Sequence, residues 1–111
     1  MVTIEERVAA LQTATDRREA VNAIGLFLAE LEKGTIRAAI RDEDGVWRVQ
    51  AWVKQGILQA FRFGLPAEFA SGALSFVDKD TIPVRRFKAQ DGIRIVAGAA
   101  AIRRGAYVGK G

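Results

Sequence analysis

The stretch GIRIVAGAAAIRRGAYVGKG, Gly92 to Gly111, decides the reading of the fold. Val96, Ile102 and Val108 recur in it every six positions, and Ala100 and Ala106 stand four places behind the first two. Gly105 and Gly111 are again six apart. A branched aliphatic followed by a small residue, at a period of six, is the pattern of a left-handed parallel β-helix. Each hexapeptide there forms one flat side of a triangular prism, with the aliphatic pointing inward and the small residue near the corner. A full coil takes about eighteen residues, and burial needs several stacked coils. Sixteen residues remain from Val96 onward, so this sequence carries only the opening of such a helix. The same spacing also occurs in an ordinary strand of an Ala- and Gly-rich segment, and the residues upstream must choose.

The charge on this end of the chain is lopsided. The whole sequence carries +4, but residues 1–78 hold nine Lys/Arg against eleven Asp/Glu, and residues 79–111 hold eight against two. Positive potential therefore concentrates on the last third, where it attracts an anion: a nucleic acid, a coenzyme phosphate or a dicarboxylate. Just upstream, FVDKDTIPVRRF (Phe76–Phe87) reads as extended chain interrupted by Pro83. GLPAEFASGALS (Gly64–Ser75) reads as a loop or irregular connection.

The first half is more regular. Thr3 with Glu6 and Asp16 with Glu19 form two capping boxes. The first opens a helix near 3–13 with Ile4, Val8 and Leu11 on one face. The second opens a helix over 17–33 with Ala20, Ile24, Phe27, Leu28 and Leu31 on its apolar stripe, stopped by Lys33 and Gly34. Apolar runs on either side of Asp42-Glu43-Asp44-Gly45 predict a β-hairpin near 35–50 around a solvated acidic turn. A third helix is expected from about Gln50 to Arg62. Trp52, Val53, Gly56, Ile57, Ala60 and Phe61 lie on its inner face, with Lys54, Gln55 and Gln59 toward water. Trp47 and Trp52 read as core anchors.

With 111 residues, half of them hydrophobic, the chain has enough for a modest core. It contains neither cysteine nor histidine. That removes disulfides, a thiolate nucleophile, a Cys/His zinc site and an imidazole base from this chain's own chemistry. MVTIEERVAA is too acidic for a secretory signal, and no apolar run approaches a membrane span. A cytoplasmic location is expected.

Several segments, taken in order, resemble the N-terminal region of the tetrahydrodipicolinate N-succinyltransferases of lysine and diaminopimelate biosynthesis. They are GVWRVQAWVKQGILQAFRF (Gly45–Phe63), FVDKDTIPVRRF, DGIRIV and IRRGAYVGKG. The likeness spans roughly residues 20–111. It departs from the family where Ala97-Gly98 replaces a proline, where Gln55 replaces a lysine, and over residues 64–75. The resemblance implies a small helical α+β domain with a β-hairpin (residues 1–91), leading into the first turns of a truncated left-handed parallel β-helix (92–111). It implies a homotrimer formed through the complete β-helix. It also implies transfer of succinyl from succinyl-CoA, a co-substrate, directly to the acceptor amine, with no metal, cofactor or covalent enzyme intermediate.

By the same resemblance Arg94, in the G-x-R-V-V-like segment, binds a carboxylate of the dicarboxylate acceptor, and no catalytic residue falls within this chain. Arginine suits that task because its planar fork gives bidentate, charge-assisted hydrogen bonds. Asp78 and Asp80 are expected to pair with Arg85 or Arg86 and not to act as bases. The chain alone is expected to be inactive. Two alternatives stand beside this one. The first is a basic module binding nucleic acid through Arg85, Arg86, Lys88, Arg103 and Arg104, against which the lack of aromatics interleaved with that cluster weighs. The second is a lid or trimerisation module with no ligand of its own.

Overall fold

A computed structural model describes residues 1–98 and 100–111, and for Ser71 only the backbone. Ala99, inside the six-residue pattern, lies outside the described residues. The first helix, α1, runs Ile4–Ala10 and is capped by the Thr3 hydroxyl, which accepts the Glu6 N–H at 3.1 Å. Asp16 caps the second helix, α2 (Arg17–Lys33), accepting from the N–H groups of Arg18 and Glu19. Gly34 ends α2 at φ 80°, the left-handed turn that a glycine C-cap supplies. The third helix, α3, spans Ala51–Phe63. All three pack on one another around Val8, Leu11, Ile24, Phe27, Leu28, Val53 and Ala60.

Gly56 lets α3 come close. A β-carbon there would stand 2.7 Å from the Phe27 ring and 3.1 Å from Val8, so only a bare backbone fits where the three helices meet. Trp52 closes the same corner, its ring 5.9 Å from that of Phe27. Gln59, expected in water, is buried, and its amide oxygen accepts from Arg62 Nη1 at 3.0 Å. Arg62 in turn holds the Leu11 carbonyl at the end of α1.

Between α2 and α3 lies the expected hairpin, β1 (Ala39–Arg41) against β2 (Trp47–Val49), with Arg41 opposite Trp47. Its acidic turn is organised by Asp42, which accepts from the N–H groups of Asp44 and Val46 and from Arg48 Nε. Both faces of the hairpin are exposed. Trp47 is 68% exposed, so of the two expected anchors only Trp52 serves the core. The strand β2 is three residues long and meets no apolar layer.

The segment read as a loop, 64–75, instead holds β3 (Pro66–Ser71) and a tight turn, and it makes a second hairpin with β4 (Leu74–Lys79), most of which lies in the stretch read as extended. Its two-residue turn has Gly72 at φ 59°, a positive φ that tight hairpin turns require and glycine reaches without strain. Phe69 faces Phe76 across the strands.

After β4 the chain dips once into the core at Ile82, while Thr81 Oγ1 donates to the Ala60 carbonyl at 2.5 Å. Val84 then pairs antiparallel with Arg103, through Arg85 N–H to Ile102 O and Arg104 N–H to Pro83 O. A short 3-10 turn, Ala89–Asp91, leads to Gly92. There Gly111 N–H donates to Gly92 O at 2.9 Å, and Arg94 N–H donates to Gly111 O at 2.8 Å. Those two bonds flank Ile93 in the pattern of a parallel pair, and Ile93 and Gly111 are eighteen positions apart. No β-helix coils are stacked among the described residues: Val96 is 81% exposed, and Ile102 and Val108 are only half-buried. Among the described residues the architecture is thus a small α+β domain of three helices and two β-hairpins, followed by irregular chain.

Candidate functional site

The basic last third of the chain divides by partner. Glu32, near the end of α2, is the largest consumer of its charge. One of its carboxylate oxygens accepts from Arg104 Nη2 at 3.0 Å, and the other lies 3.4 Å from Arg85 Nε. The Glu32 side chain is only 14% exposed, which strengthens both contacts relative to a solvated pair. Arg85 also donates to the Ala106 carbonyl at 2.6 Å and lies over the Phe87 ring. Arg103 forks onto both oxygens of Asp78, at 2.9 and 3.1 Å.

The two aspartates pair elsewhere than expected. Asp78 pairs with Arg103, and Asp80 with Arg17 of α2 at 2.6–2.7 Å. Neither meets Arg85 or Arg86, because the chain between them turns away at Ile82 to reach the core. The Arg103 hydrogen bonds, helped by the Lys79 N–H, hold the Asp78 carboxyl below its usual range. Asp80 is lowered chiefly by the Leu65 N–H and then by Arg17. Both are thus stabilised as anions, the opposite of a group poised to take a proton.

The segment Arg103–Tyr107 forms the seam with the helices. A β-carbon on Gly105, which sits at φ 97°, would fall 2.8 Å from Leu28. Tyr107 lies beneath the Arg37 guanidinium, 3.9 Å from its ring centre. Beside this seam is an apolar cleft of about 240 Å³ lined by Leu31, Ile57, Phe61 and Ile82. A larger cleft of about 710 Å³ separates Phe69, Leu74 and Phe76 of the second hairpin from Pro83, Val84 and Arg86.

Arg94 lies outside all of these ties. It is exposed, its backbone is fixed by the Gly111 carbonyl, and its guanidinium makes no ion pair or hydrogen bond among the described residues. Arg86 is likewise without an acidic partner there, whereas Arg85, Arg103 and Arg104 are each committed. The sequence singled out Arg94 but passed over Glu32. The signal was present: Glu32 follows Leu28 by four positions and Ile24 by eight, so it continues the apolar stripe of α2 as a carboxylate. No three His, Cys, Asp or Glu side chains come together as metal ligands among the described residues. None of the described helices is long and apolar enough to cross a membrane.

Comparison with known proteins matches residues 3–63 to a family model described as tetrahydrodipicolinate N-succinyltransferase N-terminal. Curated relatives extend the match. A 2,3,4,5-tetrahydropyridine-2,6-dicarboxylate N-succinyltransferase of Acidovorax sp. (strain JS42) is 34% identical over 107 residues, 93% of this chain and 39% of the relative. The protein of that name from Polynucleobacter asymbioticus is 39% identical over 100 residues, 86% of this chain and 35% of its own. A third, from Leptothrix cholodnii, is 38% identical over 96 residues, 80% of this chain and 34% of the relative. The chain thus spans about two-fifths or less of the length of these relatives.

Proposed function

Because this chain belongs to the tetrahydrodipicolinate N-succinyltransferase N-terminal family, we propose that it is the N-terminal part of an acyltransferase. That enzyme moves succinyl from succinyl-CoA to the amino group of ring-opened tetrahydrodipicolinate. Residues 1–91 form its α+β domain, and residues 92–111 begin a left-handed β-helix through which complete chains trimerise. The parallel hydrogen bonds around Ile93, closing on Gly111 eighteen positions later, support this boundary, since one triangular coil takes about that many residues.

Arg94 is the acceptor's carboxylate ligand in this reading. The observation that carries it is the division of the cations: Arg85, Arg103 and Arg104 are spent on Glu32 and Asp78, while Arg94 is exposed, anchored through its backbone and without an acidic partner among the described residues. A guanidinium in that state can take a substrate carboxylate in a two-pronged hydrogen bond without first breaking an internal pair. The same division weakens the nucleic-acid reading, three of whose five basic residues are already held in ion pairs. Succinyl-CoA is held in the part of the enzyme beyond this chain's match.

Direct acyl transfer depends on holding both substrates in attack geometry. The 111-residue chain alone is therefore expected to release no CoA from succinyl-CoA in the presence of acceptor. Joined to the β-helix body of one of its relatives, it should do so. CoA release by the isolated chain, or none by the joined protein at a normal melting temperature, would count against the proposal.

A further inference from the structure

Arg94 sits in a loop whose neck is closed by one backbone bridge and whose far side is tied, at Gly92 and Arg94, to Gly111. The neck strands are Pro83–Arg85 and Ile102–Arg104, tied by Arg85 N–H to Ile102 O and Arg104 N–H to Pro83 O. That is one antiparallel bridge, too little to hold a loop in one orientation. Glu32 reaches both strands of the neck, Arg85 on one and Arg104 on the other. Next to it Gly105 rests on Leu28, one turn earlier on the same helix. The loop is therefore referred to the helical core through α2, and the carboxylate that does this is mostly buried.

We infer that Glu32 is a positioning residue: by gripping Arg85 and Arg104 together it sets where residues 86–98, and Arg94 with them, stand relative to the helical core. Without the carboxylate, two guanidiniums on adjacent strands face each other uncompensated, and the neck is pushed apart where it has fewest bonds. The effect on Arg94 is one of place and not of chemistry. A displacement of about 1 Å in a substrate-holding group can cost a hundredfold in rate. The functional half of this inference rests on the acceptor reading of Arg94; the clamp itself does not.

The test has two arms. In the first, amide exchange is measured on the 111-residue chain and on Glu32→Gln, which keeps the size of the side chain and removes its charge. The amides of Arg85, Arg94 and Arg104 should exchange about tenfold faster or more, as loss of hydrogen bonds to a charged group implies. Those of α1 and α3 should keep their rates. Arg104→Gln removes the same contact from the other side and should reproduce the pattern, which guards against a fault in α2 itself. Unchanged exchange in both variants overturns the clamp.

In the second arm the chain, joined to a relative's β-helix body, is assayed with each substrate varied. Glu32→Gln should raise the acceptor KM by about ten- to a hundredfold, with the succinyl-CoA KM unmoved. Glu32→Asp, retaining the charge one methylene shorter, should fall between. If Arg94→Ala weakens the acceptor but Glu32→Gln does not, positioning is wrong and the acceptor reading stands. If neither variant alters acceptor kinetics, the acceptor reading fails, and the positioning role fails with it.

Discussion

Residues 4–63 bury ten apolar side chains, from Val8 to Ala60, whereas the described residues beyond Phe63 bury one, Ile82. The first region is held by packing of helix faces. The second is attached by polar ties, Asp80 to Arg17, Glu32 to Arg85 and Arg104, and Thr81 to the Ala60 carbonyl, and is tied within itself by Asp78 to Arg103. The molecule is correspondingly spread out, with a radius of gyration of 15.6 Å against about 13 Å for a compact chain near this length. Apolar burial carries no titrating charge, whereas ion pairs are lost on titration and the exposed ones are also screened by salt. The two regions should therefore fail separately and under different conditions.

The largest effect that separates them is Phe27→Ala. Phe27 is fully buried and touches both Trp52 and the bare backbone at Gly56. Its truncation should cost about 3–5 kcal/mol, read by urea denaturation with helix signal as the probe. A loss below about 1 kcal/mol would mean that the three helices are not the stable unit. Next in size is Gly56→Ala, which forces a methyl group into the Phe27 ring and should cost about 1–3 kcal/mol by overpacking. A neutral or stabilising result would show that α2 and α3 stand further apart.

Acid should act on the other region. Asp78 and Asp80 both titrate below the usual carboxylate value of 3.8 in the folded chain. Their stabilisation is therefore complete above that value and is lost as pH falls through their lowered values. Each pair is partly exposed, with Asp80 36% and Arg17 42% accessible, so the contribution is at most about 1 kcal/mol apiece. Below about pH 4 the amides of Leu65 and of the β3–β4 strands should lose protection while far-ultraviolet helicity persists. Simultaneous loss of both signals would erase the distinction between the regions. Smallest of all is Trp47→Ala, expected to change stability by no more than about 0.5 kcal/mol. In the unaltered chain, iodide should quench Trp47 and spare Trp52; equal protection of the two indoles would place Trp47 in an interior.

The same contrast explains what the sequence made legible. The caps at Thr3, Asp16 and Gly34 and the stripe from Ala20 to Leu31 could be read because burial imposes a period on the residues that face inward. Gln59 escaped because its polarity hid a core-facing position, where Arg62 satisfies its amide oxygen. Trp47 misled in the opposite direction: an aromatic suggests a core, but a two-stranded hairpin offers none. The β3–β4 hairpin went unread because its strands mix Ala, Ser and Glu with Phe and Val and lie mostly exposed, so no alternation is enforced. Asp78 and Asp80 could be read as salt-bridge formers but not assigned partners. Partner choice depends on where Ile82 turns the chain, which no spacing encodes. Arg94 entered by family likeness; that its side chain finds no partner among the described residues needed the structure.

The central proposal is that the polar-tied region carries the function through Arg94, one of the cations that its ion pairs leave over among the described residues. Steady-state kinetics of Arg94→Ala, in the chain joined to a relative's β-helix body, test it most directly. Removing a charge-assisted carboxylate contact should lower kcat/KM for the acceptor by about thirty- to several-thousand-fold, with the succinyl-CoA KM and the melting temperature unchanged. Arg94→Lys should recover part of the loss, because an ammonium keeps the charge without the fork. Arg94→Ala with unaltered acceptor kinetics and a normal melting temperature would contradict the account.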